Sequence, residues 1–174
     1  MYSKTFVLFS IVFLVGCSSN KPNIERSVTI PPSTQSNNAK DALTKHNQIR
    51  LGLSIPPLVW DESLVKSAQS HANYLASRGK FEHASSGYGE NLYGASYQAS
   101  YLDAITSWSA EKQNYNYATN RCQGICGHYT QIVWRNSQRL GCAKATYRTG
   151  RFQGGVVIVC RYDPIGNYRG HRPY

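Results

Sequence analysis

Residues 127–137 read Gly127-His128-Tyr129-Thr130-Gln131-Ile132-Val133-Trp134-Arg135-Asn136-Ser137. This pattern predicts a short helix from His128 to Trp134. Two β-patterned runs follow, Arg139 to Tyr147 and Gly154 to Tyr162, and the second contains Val156-Val157-Ile158-Val159, which strongly favours a strand. The sequence therefore places a histidine-bearing helix directly before a pair of adjacent strands.

Upstream of this stretch, residues 39–51 predict a helix, which Gly52 and the prolines after it bring to an end. Ala39, Leu43 and Ile49 lie near one face of that helix.

A second helix has clear limits in the sequence, because Asp61 is a good N-cap and Gly79 a good terminator. Its buried stripe is formed by residues at helical spacing, namely Leu64, Ala68, His71, Ala72 and Leu75. Because His71 lies inside this stripe, we predict a packed core histidine rather than a ligand.

A third helix covers about residues 99–114, and it brings Trp108 and Glu111 together as neighbours three residues apart. A shorter strand is predicted around Gly89 to Tyr93. Helices flanking a small antiparallel sheet give an α+β fold, a three-layer α-β-α sandwich.

The N-terminus predicts export. After Lys4, the apolar run over residues 6–15 is shorter than the roughly 20 residues that span a bilayer, and it is typical of a signal peptide. Gly16-Cys17 resembles the bacterial lipoprotein box, in which Cys17 is acylated and becomes the first mature residue; an ordinary secreted protein with an incidental cysteine is the alternative. We predict a signal peptide over residues 1–16, and Ser18 after the cysteine favours the outer membrane of the cell envelope.

Residues 17–38 are rich in Ser, Asn and Pro and show no apolar periodicity, so we expect a flexible tether. Residues 39–174 have the size of one ordinary domain, which we expect to be monomeric.

The formal net charge of +10 comes from basic residues that are spread out, without a Lys/Arg run of five or more. A diffuse positive surface on an exported protein favours anionic lipids, lipopolysaccharide or acidic glycans as partners. A soluble cationic surface without a specific partner is the alternative. Nucleic acid is not expected, because the compartment is wrong and no recognition motif occurs.

Four cysteines remain beside Cys17: Cys122, Cys126, Cys142 and Cys160. In an oxidising compartment they predict two disulfides, for which three pairings exist. The first two cysteines can close a local loop, and the last two can bridge adjacent strands. A four-cysteine zinc site would need paired short spacings at both ends, which the last two do not supply.

Two histidines and two glutamates form the candidate chemical site: His83, Glu90, Glu111 and His128. Such a set can hold zinc or another divalent cation, or it can form a closed hydrogen-bond network. No local spacing pairs these residues, and the sequence contains neither a G-x-S-x-G elbow nor an H-E-x-x-H motif. We therefore assign no catalytic residue; a hydrolase would depend on a metal-bound water.

Residues 127–137 resemble the first signature of the CAP superfamily, which contains cysteine-rich secretory proteins, the insect-venom antigen 5 group and plant pathogenesis-related class-one proteins. Val159 to Tyr168 resembles the second signature. His46-Asn47-Gln48-Ile49-Arg50 and Gly89-Glu90-Asn91-Leu92 match two shorter motifs. The resemblance runs from about Lys40 to the C-terminus, and the plant-type subgroup is the most similar.

The resemblance implies an α-β-α sandwich whose central cleft carries the tetrad His83, Glu90, Glu111 and His128, with zinc or similar ions on the histidines of some members. Plant-type relatives usually carry a third disulfide at positions that fall near Gly79 and Tyr147, and both halves are missing here. This supports Cys122–Cys126 and Cys142–Cys160 as the remaining pairs.

The CAP fold is not tied to one activity. We expect a binding module for a lipid, a sterol, or an envelope or host surface component. Tyrosines are candidates to line its groove: Tyr88, Tyr93, Tyr97 and Tyr101, or Tyr115 and Tyr117. The alternatives are a peptidase-like metal-dependent hydrolase and a purely structural or host-interaction surface protein.

Overall fold

A four-stranded sheet organises the described part of the chain, which in this computed structural model comprises residues 39–174. The predicted signal peptide, Cys17 and the tether lie outside the described residues. The helices are α1 (Ala39–Leu51), α2 (Glu62–Arg78), α3 (Tyr101–Ala110) and α4 (Gly127–Ile132), with a 3₁₀ turn at Glu111–Asn114. The strands are β1 (Val59–Trp60), β2 (Gly89–Ala95), β3 (Tyr115–Asn116), β4 (Arg121–Cys122), β5 (Arg139–Thr146) and β6 (Val156–Asp163).

The sheet has the order β1-β5-β6-β2. Strand β5 pairs antiparallel with β6, β6 pairs antiparallel with β2, and β1 adds a short parallel edge beside β5. Strands β3 and β4 form a separate two-stranded hairpin. The two-residue strands β1, β3 and β4 were not predicted, because two residues are too few to show an alternation of apolar and polar side chains.

Alternation along β6 explains why helices cover both faces of the sheet. Val157 and Val159 pack with the apolar face of α2, whereas Ile158 and Tyr162 pack with residues of α1, α3 and α4. A strand that is buried on both faces is apolar at successive positions, as this one is. The predicted α+β fold with three layers is confirmed.

The limits of α2 are those that the sequence predicted. The Asp61 side chain accepts hydrogen bonds from the backbone N–H groups of Ser63 and Leu64. At the other end, Gly79 has a φ of 63°, a left-handed conformation that glycine adopts without a steric penalty. The sequence therefore contained both signals for this helix.

The structure adds detail to two of the predicted helices. In α1, Ala39, Leu43 and Ile49 are partly buried and pack against the core, and the fully buried positions are Ala42, His46 and Arg50. The third helix does not continue to residue 114: it ends at Ala110, and a 3₁₀ turn follows. The polar residues His46 and Arg50 can occupy buried positions of α1 because each makes hydrogen bonds there.

Both implied disulfides are present. Cys142 and Cys160 lie opposite each other on β5 and β6, with their Cα atoms 4.1 Å apart. Cys122–Cys126 joins β4 to the start of α4. Where the third disulfide is missing, the Tyr147 hydroxyl donates to the Lys80 carbonyl over 3.0 Å, so a hydrogen bond links the same two regions.

Within residues 39–174, no helix combines the length and hydropathy needed to cross a membrane.

Candidate functional site

The four predicted site residues form two histidine–glutamate pairs. His83 Nδ1 lies 2.7 Å from Glu90 Oε1, and His128 Nδ1 lies 2.6 Å from Glu111 Oε1. An ionised carboxylate only accepts hydrogen bonds, so Nδ1 of each ring donates. In the neutral imidazole, Nε2 is then the nitrogen that keeps a lone pair.

These residues come from four places in the chain. His83 lies between α2 and β2, Glu90 lies in β2, Glu111 directly follows α3, and His128 lies in α4. Asn91, the neighbour of Glu90, links the two sides, because its Nδ2 donates to the His128 carbonyl over 3.0 Å. The fold therefore joins β2 directly to the helix that carries the second histidine.

The pair formed by Glu111 and His128 is held by backbone as well as side-chain contacts. Glu111 Oε2 accepts from the backbone N–H groups of His128 and Tyr129, at 3.0 and 3.2 Å. The indole ring of Trp108 stacks on the His128 imidazole, with centroids 5.9 Å apart and an interplanar angle of 13°. Trp108 therefore contacts the face of the His128 ring and Glu111 its edge, and both residues belong to one short segment of the chain.

The pair formed by His83 and Glu90 lies beside a buried cation. Arg161 Nη1 is 2.8 Å from Glu90 Oε2, and both side chains are buried. Neither Glu90 Oε2 nor Arg161 Nε has a hydrogen-bond partner among the described residues, so this contact is an ion pair without an aligned hydrogen bond. Burial lowers the pKa of Arg161, and the Glu90 charge opposes that effect.

His71 also belongs to this region, which corrects its assignment as a packed core histidine. The residue is only partly buried, and its Nε2 lies 3.7 Å from Glu90 Oε2 and 3.0 Å from the Glu82 carbonyl. The apolar stripe of α2 consists of its leucines and alanines instead. His71 and Arg161 are thus two site neighbours that the sequence did not reveal.

A buried hydrogen-bond chain runs from α1 to His128. His46 Nδ1 lies 2.7 Å from the Ala42 carbonyl, so this nitrogen donates and Nε2 must accept from the Tyr162 hydroxyl, also at 2.7 Å. Asn91 Nδ2 lies 3.1 Å from the Tyr162 oxygen and also reaches the His128 carbonyl. Burial lowers the pKa of His46 to about 4 and raises that of Tyr162, so both groups are neutral.

Arg50 fixes the segment that follows α4. This fully buried guanidinium donates to five backbone carbonyls, those of Pro56, Ile132, Trp134, Arg135 and Ser137. Burial lowers its pKa to about 10. A buried charge is tolerated here because its N–H groups are paired with backbone carbonyls.

The donor set limits what metal the site can hold. Across residues 39–174, no three His, Cys, Asp or Glu side chains come together in an arrangement that would bind a metal ion. What the pairs supply is two imidazole Nε2 atoms, each oriented by a carboxylate at Nδ1, which is how proteins commonly orient metal-binding histidines. A closed structural zinc site, which takes four such ligands, is therefore not formed by the described residues.

Open grooves lie along the exposed side of α1. One, of about 440 Å³, has an apolar lining with three amide or hydroxyl side chains; its residues are Leu43, Thr44, Asn47, Gln48, Leu51, Ile55 and Pro57. A second, of about 310 Å³, lies between α1 and α3 and contains Lys45. The two grooves share Thr44 and Gln48, so they meet on one helix face.

The tyrosines that we expected to line a groove do not gather in one place. Tyr101 is buried in the core, while Tyr97 is exposed and its hydroxyl contacts that of Tyr93 over 3.1 Å. Tyr115 and Tyr117 belong to the β3–β4 hairpin. The apolar residues around the groove on α1 are leucine, isoleucine and proline rather than tyrosine, and such residues carry no distinctive sequence signal.

Comparison with known proteins shows extensive similarity. The family model of the cysteine-rich secretory protein family (CAP) matches residues 43–162. Pathogenesis-related protein 1 of Arabidopsis thaliana is 41% identical over 173 residues, covering 99% of this chain and 97% of the relative. Pathogenesis-related protein 1A of Nicotiana tabacum is 43% identical over 141 residues, covering 79% and 82%. The solved structure of Schistosoma mansoni venom allergen-like protein 4 superposes with a TM-score of 0.64 at 25% identity, covering 80% of this chain and 94% of that one.

Proposed function

This chain belongs to the cysteine-rich secretory protein (CAP) family, and on that premise we propose that it is a monomeric, lipid-anchored module that binds a lipid at the cell envelope. It is an extracellular protein of the pathogenesis-related-1 type. The anchor is Cys17, and the outer membrane is the proposed location. Binding, rather than catalysis, is the activity.

The apolar groove on α1 is the observation that supports lipid binding. Its volume of about 440 Å³ lies within the roughly 300–1,000 Å³ of small-molecule sites. Leu51 lies at this groove with 78% of its surface exposed. Removing exposed apolar surface from water is energetically favourable, so an acyl chain is a suitable occupant of this groove.

The polar groups beside the groove indicate which lipid fits. Asn47 is already engaged, because its amide exchanges two hydrogen bonds with the backbone of Leu58. Lys45 and Asp41 both line the adjoining groove, so a charge of each sign lies near the acyl site, and Lys45 is the one that would bind an anionic head group. We therefore propose a lipid with one acyl chain and an anionic head group, such as a fatty acid.

Fatty-acid titration tests this proposal. The Leu51→Asn variant removes apolar surface from the groove, whereas Val59→Asn makes the same kind of change at a residue that is 65% exposed on β1. We expect roughly tenfold weaker binding for the first variant, from the lost apolar burial, and no change for the second. Equal binding by both variants, or protein purified from its own cells without any bound lipid, would contradict the proposal.

We also propose that His83 and His128 bind one divalent ion, with zinc as the first candidate. Glu90 and Glu111 orient the imidazoles through Nδ1, and water completes the coordination. Such an ion could polarise a bound water, but we attach no reaction to it. Each imidazole must be neutral to bind the metal ion, so the affinity for zinc should fall as the pH is lowered.

Calorimetry on chelator-stripped protein measures this site directly. Zinc binding should be lost in the His83→Ala, His128→Ala double variant. It should persist in His171→Ala, which removes an exposed imidazole from the C-terminal tail. Equal affinity in the wild type and the double variant would rule out this site.

A further inference from the structure

Positive charge is unevenly distributed along this chain. From Lys112 to the C-terminus there are ten Lys and Arg residues and a single acidic residue, Asp163. Two arginines of this region, Arg139 and Arg161, form ion pairs with carboxylates. Arg121 and Arg169 are exposed and have no carboxylate within 4.0 Å in the described part of the chain.

The fold brings the hairpin and the C-terminal tail together. The Arg172 guanidinium donates to the backbone carbonyls of Tyr117 and Ala118, and the Tyr117 ring stacks on the Tyr174 ring with centroids 4.7 Å apart. One residue before Arg121 and one after Arg169, Asn120 Nδ2 donates to the Gly170 carbonyl over 3.3 Å. The two unpaired arginines therefore lie on neighbouring segments.

Exposed apolar side chains occur on the same segments. Tyr117 is 45% exposed, Tyr168 is 55% exposed, and Ile125, in the loop closed by Cys122–Cys126, is 68% exposed. We name this surface the hairpin–tail face and define it by Tyr117, Arg121, Ile125, Tyr168, Arg169 and Arg172. It combines apolar and aromatic groups with uncompensated arginines.

We propose that the hairpin–tail face docks on the anionic head groups of a lipid bilayer. Tyrosine suits the interface because its ring is apolar and its hydroxyl is polar, and arginine beside it attracts anionic lipids. The inference rests on the proposed envelope location and anchor, and it is independent of the groove and of the metal site. An acidic glycan would satisfy the arginines but would offer no apolar phase for Ile125.

Tryptophan quenching by brominated lipids tests which face touches the bilayer. The full chain carries Ile125→Trp or, as a matched control, Val59→Trp, and the signal of the three resident tryptophans is subtracted. The vesicles contain phosphatidylcholine with or without phosphatidylglycerol. We expect quenching at position 125 that grows with the anionic lipid, and none at position 59.

A charge-matched pair of variants tests the arginines. Arg121→Gln with Arg169→Gln should weaken docking roughly 25-fold, at about fivefold per arginine. Lys66→Gln with Arg78→Gln removes the same charge from α2 and should have little effect. Equal effects of the two pairs would show that only net charge matters and would overturn the inference.

Vesicle flotation separates this inference from the anchor. If the chain floats with vesicles but residue 125 is not quenched, the docking face is wrong and the anchor stands. If the chain does not float, the anchor proposal fails as well. Heparin binding that depends on Arg121 and Arg169, without quenching at position 125, would assign the face to acidic glycans instead.

Discussion

Neutral His46 makes folding stability depend on pH. The ring donates to the Ala42 carbonyl and accepts from the Tyr162 hydroxyl, so a second ring proton would meet a donor rather than an acceptor. Burial, the largest cause, lowers the pKa of His46 from 6.5 to about 4. The unfolded chain therefore binds a proton between these values that the folded chain rejects, and stability is lost as the pH falls through that window.

The size of this effect follows from the two pKa values. With 6.5 in the unfolded chain and about 4 in the folded chain, lowering the pH from about 7.5 to about 4.5 should cost on the order of 2 kcal/mol through His46 alone. The His46→Gln variant removes the titrating group and keeps all other histidines and carboxyl groups. Its stability at neutral pH will be lower, but its acid dependence should be weaker by that amount.

Urea unfolding of both proteins across this pH range, with the disulfides intact, supplies the free energies by linear extrapolation. The informative quantity is the difference between their pH dependences, because the other titrating groups cancel. If the wild type and His46→Gln lose the same free energy between neutral and acid pH, His46 is not held neutral by its buried partners, and the reasoning fails.

Two further predictions concern the cysteines. Metabolic labelling with a palmitate analogue should label the wild type but not Cys17→Ser, and a variant that stays labelled and membrane-bound would contradict acylation at this residue. Replacing Cys142 and Cys160 by alanine should cost about 3 kcal/mol, against about 2 kcal/mol for Cys122 and Cys126, because loop entropy grows with loop length and the separations are 18 and 4 residues. Thermal unfolding of the two double variants compares these losses, and a larger loss for the shorter loop would contradict that ranking.

Much of the fold was predictable because its signals are local. Asp61 and Gly79 mark the ends of α2 through hydrogen bonds and a backbone conformation that involve only neighbouring residues. The apolar run of β6 is what a strand buried on both faces requires. The four residues of the tetrad were named from the sequence through the resemblance of their motifs, and the structure pairs each histidine with a glutamate.

The pairing within the site was not predictable. Nothing in the spacing of Glu90 and Glu111 shows which histidine each one holds. His71 has helical spacing with core residues, yet its ring lies beside Glu90 and contacts the Glu82 carbonyl, which belongs to the segment between α2 and β2. Contacts of this kind depend on how separate elements pack together.

The sequence by itself determined the main helices and strands, the family and the residue types of the tetrad. Tertiary structure decided which polar residues are buried, and it gathered scattered basic residues into the hairpin–tail face. Arg50 shows the reason most clearly, because four of the carbonyls that it binds lie 82 to 87 residues away. Every residue type carries the same backbone carbonyl, so the partners of a buried donor leave no trace in the sequence.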